Sequence, residues 1–158
     1  MPETLTIPHD ADKEEKYKAI LPQLKSLLQQ ESDEVANMAN VAAVLKDAFQ
    51  FFWCGFYVVK NGVLLLAPFQ GTLACTRIAF GKGVCGTAWK NRETVIVPDV
   101  EKFPGHIACS SLSKSEIVVP IMRGNEVYGI LDIDSDRLNA FDETDAYYLA
   151  KIANLFFG

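Results

Sequence analysis

Positive charge and long apolar runs are both scarce in this sequence. Its 15 lysines and arginines are outnumbered by 20 aspartates and glutamates, which leaves a formal net charge of -5. No basic cluster is suited to neutralising phosphates. The longest apolar runs, such as VLLLA at 63–67, are far too short to span a bilayer, and the N-terminus lacks the basic start and apolar core of a signal peptide. We therefore predict a cytoplasmic protein that binds neither nucleic acid nor membrane.

Cysteine and histidine are also few, and their spacing does not suit a metal. The chain has four cysteines and two histidines, and no two cysteines have the C-x2-C or C-x4-C spacing of a zinc site. Structural disulfides are not expected either, because the cytoplasm keeps thiols reduced. We therefore expect no bound metal and four thiols, engaged in redox chemistry or simply buried: Cys54, Cys75, Cys85 and Cys109.

Apolar residues are plentiful at 49%, enough to build one packed core from 158 residues. Their spacing predicts helices over 11–50, strands and site-bearing loops over 51–134, and a closing helix over 142–158. Residues 1–10 are expected to form a flexible tail. This order predicts one α+β domain over 1–158, with a central antiparallel sheet and the N-terminal and C-terminal helices packed on one face.

Local signals predict the turns and boundaries. Pro22 lies inside the first helical pattern and removes a backbone donor, so we expect a kink or a break into two short helices. Ser32 or Asp33 is expected to cap the second helix. The dipeptide Asn61-Gly62, between two apolar runs, favours a tight type I′ hairpin turn.

Carboxylates are concentrated in DIDSDRLNAFDE, where Asp132, Asp134, Asp136 and Glu143 fall at positions 1, 3, 5 and 12 of a calcium-binding loop. Position 6 needs glycine and is Arg137, and the preceding VYGIL is strand-like, so calcium is not favoured. On a strand, Asp132 and Asp134 point to one face, where a cation or a proton would relieve their repulsion. The alternative is a solvated strand end.

Two aromatic residues share one face of the first hairpin strand. Trp53 and Tyr57 are four apart with Gly55 between them. They can form an aromatic wall around a small ligand, although most aromatics on a sheet simply pack in the core. Cys54 points to the opposite face and is expected to be an inert buried thiol.

Three cysteines lie in loops or at the ends of elements, which is more than burial would suggest. The loop GHIACSSLSKSE, residues 105–116, presents Cys109 among polar residues. His106 could stabilise its thiolate, but a lone loop histidine is more often a surface residue. Cys85, in GKGVCGTAW, begins a helical turn, where a thiol has a lowered pKa. Cys75, in QGTLACTRI, lies on a similar approach to a strand.

Together these segments resemble a known family. The stretches WCGFY, APFQG, AC, FGKGVCGTA, PDVEKFPGHIAC, SEIVVPI and GILDIDS are similar to those of the free methionine (R)-sulfoxide reductases, which have the GAF fold, in order from about Trp53 to Asp145. The resemblance implies an enzyme that reduces free L-methionine (R)-sulfoxide to methionine, but not the same oxide within a peptide. A cysteine sulfenic acid and then an intramolecular disulfide would be the intermediates.

The resemblance also implies the roles of individual residues. The implied nucleophile is Cys109, and the implied resolving thiol is Cys75, with Cys85 as the alternative. The family's substrate-binding residues correspond to Glu116, Asp132, Asp134, Trp53 and Tyr57. The resemblance implies no bound cofactor, thioredoxin with its reductase and NADPH as the external reductant, and a homodimer as the assembly.

The sequence departs from the family's pattern at one position, and two alternatives to the reductase function stay open. The family often has aspartate after the nucleophile, where this chain has Ser110, which should ease formation of the Cys109 thiolate. A non-catalytic GAF module that senses a small ligand is one rival. A thiol switch without a substrate is the other.

Overall fold

The computed structural model describes residues 5–107 and 109–158. Within them, four α-helices, six strands and one 3-10 turn follow the predicted order. Their bounds are α1 Lys13–Gln29, α2 Glu34–Phe49, β1 Trp53–Lys60, β2 Val63–Gln70, β3 Arg77–Ala79, α3 Gly83–Asn91, β4 Val95–Val97, η1 Val100–Lys102, β5 Ser115–Arg123, β6 Glu126–Ser135 and α4 Glu143–Asn154.

The strands form one antiparallel sheet in the order β3-β2-β1-β6-β5-β4. Two hairpins, β1-β2 and β5-β6, meet in the middle because β1 pairs with β6. The first hairpin turns at Asn61 and Gly62, whose φ angles of 51° and 80° are those of the predicted type I′ turn. The α+β prediction is confirmed.

The alternation of side chains along the strands separates two packed layers. From β1, Cys54, Phe56 and Val58 enter a core shared with α1, α2 and α4. Trp53 and Tyr57 enter a second cluster on the other face, with residues of α3. The terminal helices therefore pack on one face as predicted, and α3 helps to cover the other.

The helix α1 runs without a break, so the prediction that Pro22 divides it is wrong. Proline removes the backbone donor to the carbonyl of Lys18. Pro22 and Lys18 are both exposed, and water can satisfy that carbonyl. Asp12 caps the helix by accepting from the Glu15 amide, and buried contacts of the opposite face stabilise it.

The second half of the predicted flexible tail is packed against the rest of the protein. Leu5 and Ile7 pack against the large core, and the Thr6 amide donates to Gln23 Oε1 at 2.8 Å. Residues 1–4 of that predicted segment lie outside the described residues. In the part of the chain that is described, no helix has both the length and the apolar character needed to cross a membrane.

Candidate active site

The strand register gathers the predicted acids and aromatics on the α3 face of the sheet. At the centre, Trp53 of β1 is opposite Asp134 of β6, and Gly55 is opposite Asp132. On the other side of β6, Glu116 of β5 is opposite Asp134. Because side chains two apart on a strand share a face, Asp132 and Asp134 point the same way, as predicted. They lie on strand β6 and not in a calcium-binding loop.

These residues line a cleft between the sheet, α3 and two loops. Seven of the eight predicted site residues line it, together with His106, Ser113 and Lys82; the seven are Trp53, Tyr57, Cys85, Cys109, Glu116, Asp132 and Asp134. The eighth, Cys75, joins the site through a disulfide to Cys109. The fold therefore brings all eight together from five separate segments.

The Cys75–Cys109 disulfide differs from the expectation of four thiols. The two residues are 34 apart in sequence, and their Cα atoms are 5.6 Å apart, a usual separation for a disulfide. Cys109 is exposed and Cys75 half-buried. The phenol of Tyr57 donates to the Cys75 carbonyl at 2.8 Å, which ties this segment to the sheet. The structure is thus that of the oxidised protein.

Cys85 is a free thiol, but the prediction that its pKa is lowered is wrong. It is the third residue of α3 and only 4% exposed, and its Sγ lies 4.0 Å from Oε2 of Glu116. Burial, followed by the charges of Asp132 and Glu116, raises its pKa well above the usual value. These effects outweigh the favourable field of the helix N-terminus. On the opposite face, Cys54 is a buried free thiol whose pKa is also raised by burial.

The three carboxyl groups of the cleft are held in a setting that favours their protons. Burial and then the neighbouring Asp132 raise the pKa of both Glu116 and Asp134 well above the usual range. Burial also raises the pKa of Asp132, but Glu116, Cys85 and His106 offset part of that increase. The pKa is thus raised for all three carboxyl groups, and by less for Asp132 than for Glu116 and Asp134.

The aromatic wall is fixed by hydrogen bonds at its rim. Trp53 Nε1 donates to the Thr72 carbonyl at 2.9 Å, and the Trp53 and Tyr57 ring centroids are 6.1 Å apart. A Cβ on Gly55 would lie 2.2 Å from Cβ of Phe69 and 2.8 Å from Cη2 of Trp53, so glycine is needed at this position between the two rings.

His106 and Ser113 also line the cleft, which the sequence did not predict. His106 is not a surface residue: its side chain is 16% exposed, and Nε2 lies 3.9 Å from Oε1 of Glu116. Burial lowers its pKa. The Ser113 hydroxyl is buried and has no hydrogen-bond partner among the described residues. Both lie in a loop without periodicity, so no sequence signal pointed them into the cleft.

The fold and cleft are those of a GAF domain, and residues 29–156 match the GAF domain family. GAF domain-containing protein A of Dictyostelium discoideum is 60% identical over 144 residues, covering 90% of this chain and 91% of that protein. The free methionine-R-sulfoxide reductase of Saccharomyces cerevisiae is 42% identical over 153 residues, covering 91% of this chain and 85% of the relative.

A solved structure is similar along nearly the whole chain. The X-ray structure of the free methionine-R-sulfoxide reductase of Neisseria meningitidis, in complex with its substrate, has a TM-score of 0.95 at 54% identity and covers 98% of this chain and 93% of that one. The chain therefore belongs to the free methionine-R-sulfoxide reductase family, a family of oxidoreductases within the GAF fold. The resemblance found in the sequence motifs is confirmed.

Proposed function

We propose that the protein reduces free methionine (R)-sulfoxide to methionine, with Cys109 as nucleophile and Cys75 as resolving thiol. The observation that carries the proposal is the Cys75–Cys109 pair beside a cleft that also holds three carboxyl groups and two aromatic rings. Relatives named as free methionine-R-sulfoxide reductases support the substrate. A ligand-sensing module would need neither sulfur.

The chemistry uses one thiol to take the oxygen and a second to release it. The Cys109 thiolate attacks the sulfoxide sulfur, and a cleft acid protonates the departing oxygen; methionine leaves, and Cys109 becomes a sulfenic acid. The Cys75 thiol then condenses with the sulfenic acid, which expels water and forms the disulfide. Thioredoxin, acting as an external dithiol, restores both thiols and is itself oxidised to a disulfide.

The carboxyl groups of the cleft both bind the substrate and donate the proton. Asp132, whose pKa is raised less, holds the ammonium group of the substrate as a carboxylate, while Glu116 and Asp134, whose pKa values are raised well above the usual range, are the candidate proton donors. A methionine oxide within a peptide has no free ammonium, so Asp132 would be buried without a partner. The proposed preference for the free amino acid follows from that penalty.

Cys75 suits the resolving role better than Cys85 does. Cys75 is half-buried in a loop next to Cys109, whereas Cys85 is buried with a raised pKa, which disfavours its thiolate. No bound cofactor is needed for this cycle. A homodimer and a cytoplasmic location remain part of the proposal.

The test is NADPH consumption in the presence of thioredoxin and thioredoxin reductase. Free methionine (R)-sulfoxide should be reduced, while the S epimer and a peptide-bound oxide should not. Cys109→Ser should lower the rate by at least about 10³-fold, whereas Cys54→Ala, a thiol removed from the opposite face, should retain it. A fully active Cys109→Ser variant would refute the nucleophile. A disulfide between Cys109 and Cys85 in the peptide mass map of oxidised protein would refute the role of Cys75.

A further inference from the structure

We propose that Leu73, Ile107 and Leu112, around the Cys75–Cys109 disulfide, form the docking surface for the dithiol protein that reduces this bond. The inference rests on the proposed reductase cycle, in which an external dithiol must restore both thiols. It adds to that cycle the surface that the partner covers, the charge that the partner carries and the sulfur that it attacks.

Exposed apolar side chains are concentrated beside the two bonded cysteines. Leu73 is 89% exposed, Leu112 59% and Ile107 41%, and each lies two or three residues from Cys75 or Cys109 in the chain. The disulfide joins the two segments that carry them. Because grouped apolar side chains at a surface mark sites of protein contact, a partner that reaches the disulfide gains by covering them.

The segments that carry the disulfide are basic, although the chain as a whole has a net charge of -5. Residues 71–83 and 102–115 contain no aspartate or glutamate and these basic residues: Arg77, Lys82, Lys102 and Lys114. All of these basic side chains are exposed. A partner with negative charge around its dithiol is therefore attracted to the docking surface, and such attraction raises the rate of encounter.

The exposure of the two cysteines decides which sulfur is attacked, because Cys109 is exposed and Cys75 half-buried. A thiolate of the partner attacks Cys109 Sγ, the disulfide bond breaks, and Cys75 leaves as a thiolate that takes up a proton. The partner's second thiol loses its proton and attacks the partner sulfur of this mixed disulfide. Cys109 is released as a thiolate, and the partner is oxidised to a disulfide. Docking follows the departure of methionine, so the partner does not compete with the substrate for the cleft.

The rate at which reduced thioredoxin reduces the oxidised full-length protein tests the docking surface. The reaction starts from the disulfide and contains no methionine sulfoxide, so its result is separate from the proposed reductase activity. We expect Leu112→Glu to lower the second-order rate constant by about tenfold, because it removes an apolar contact and adds a negative charge. The rate constant for the unaltered protein should fall as the salt concentration rises. Dithiothreitol, which is too small to need a docking surface, should reduce the unaltered protein and Leu112→Glu at equal rates.

Val35→Glu is the matched control, because Val35 is 61% exposed on α2, which packs on the opposite face of the sheet. It should be reduced by thioredoxin at the unaltered rate, whereas Lys114→Glu should be reduced more slowly and with a weaker dependence on salt. Circular dichroism checks that each variant is folded.

Three results would overturn the proposal. The first is equal rates with thioredoxin for Leu112→Glu, Lys114→Glu and Val35→Glu. The second is an equal loss of rate with dithiothreitol in Leu112→Glu, which would place the effect in the disulfide itself. The third is a dimer of the oxidised chain that Leu112→Glu dissociates, which would assign the surface to a second copy. A thioredoxin with serine in place of its second cysteine should be trapped on Cys109, and trapping on Cys75 in the peptide mass map would refute the assigned sulfur.

Discussion

Both faces of the sheet bury carboxyl groups, but the carboxyl groups on the two faces differ in their hydrogen-bond and ion-pair partners. On the face covered by the terminal helices, Asp145 is 1% exposed and fully partnered. Its oxygens accept from the Tyr17 hydroxyl and the Lys13 ammonium, each at 2.6 Å, and from the Asp142 amide at 2.9 Å. This carboxylate joins α1 to the start of α4.

On the α3 face, three carboxyl groups lie together without such partners. No lysine or arginine forms an ion pair with Glu116, Asp132 or Asp134 in the described part of the chain, and His106 is 3.9 Å from Glu116. Burial, which no cationic side chain compensates, raises the pKa of all three groups. The comparison teaches that partnered buried acids stabilise a fold, whereas unpartnered ones are retained for a ligand or a proton.

The largest effect on stability is expected on the partnered face. Asp145→Ala removes three hydrogen bonds and leaves the buried hydroxyl of Tyr17 unpaired, so the free energy of unfolding should fall by about 3 kcal/mol. Urea denaturation measures it. Asp136→Ala, at an exposed position, is the matched control and should stay within about 0.5 kcal/mol. Equal stability of the two variants would remove the contrast between the faces.

On the α3 face, replacing a buried carboxyl group should lower the activity instead of the stability. Glu116→Gln keeps the shape but removes an acid, so kcat/KM for free methionine (R)-sulfoxide should fall by about 10²-fold or more, while stability is retained. Glu126→Gln, exposed at the far end of the same hairpin, is the control and should keep full activity. If Glu116→Gln retains full activity, Glu116 is not the proton donor and Asp134 becomes the remaining candidate.

The smallest expected effect is a gain in stability with a changed pH dependence. Because the pKa of Asp134 is raised in the folded protein, the unfolded chain loses its proton at lower pH. Stability therefore falls as pH rises from the usual carboxyl range through the raised pKa. Asp134→Asn should reduce that fall and raise the free energy of unfolding at pH 7 by about 0.5–2 kcal/mol.

Urea denaturation between pH 4 and pH 8 measures this difference. Asp136→Asn, with an exposed carboxyl just after the end of β6, should leave the pH profile unchanged. An unchanged profile in Asp134→Asn would mean that this carboxyl ionises equally in the folded and unfolded protein. The unpartnered character of the cleft acids would then apply to Glu116 and Asp132 alone.

Much of the fold could be predicted because its signals are local. The Asn61-Gly62 turn and the Asp33 cap depend on a few adjacent residues. The common face of Asp132 and Asp134 depends only on the twofold period of a strand. The continuous α1 helix could not be predicted, because its tolerance of Pro22 depends on which side of the helix meets solvent.

The sequence by itself determined the α+β order, the alternation that separates the two faces, and the motifs that place the chain in its family. Only the tertiary structure decided which acids find partners, that Cys75 and not the alternative Cys85 is bonded to Cys109, and that the pKa of Cys85 is raised instead of lowered. The physical reason is how far apart in sequence the interacting residues lie. Turns, caps and strand periodicity depend on neighbours in the chain, whereas the burial and charge that control a carboxyl or a thiol come from residues far away in sequence.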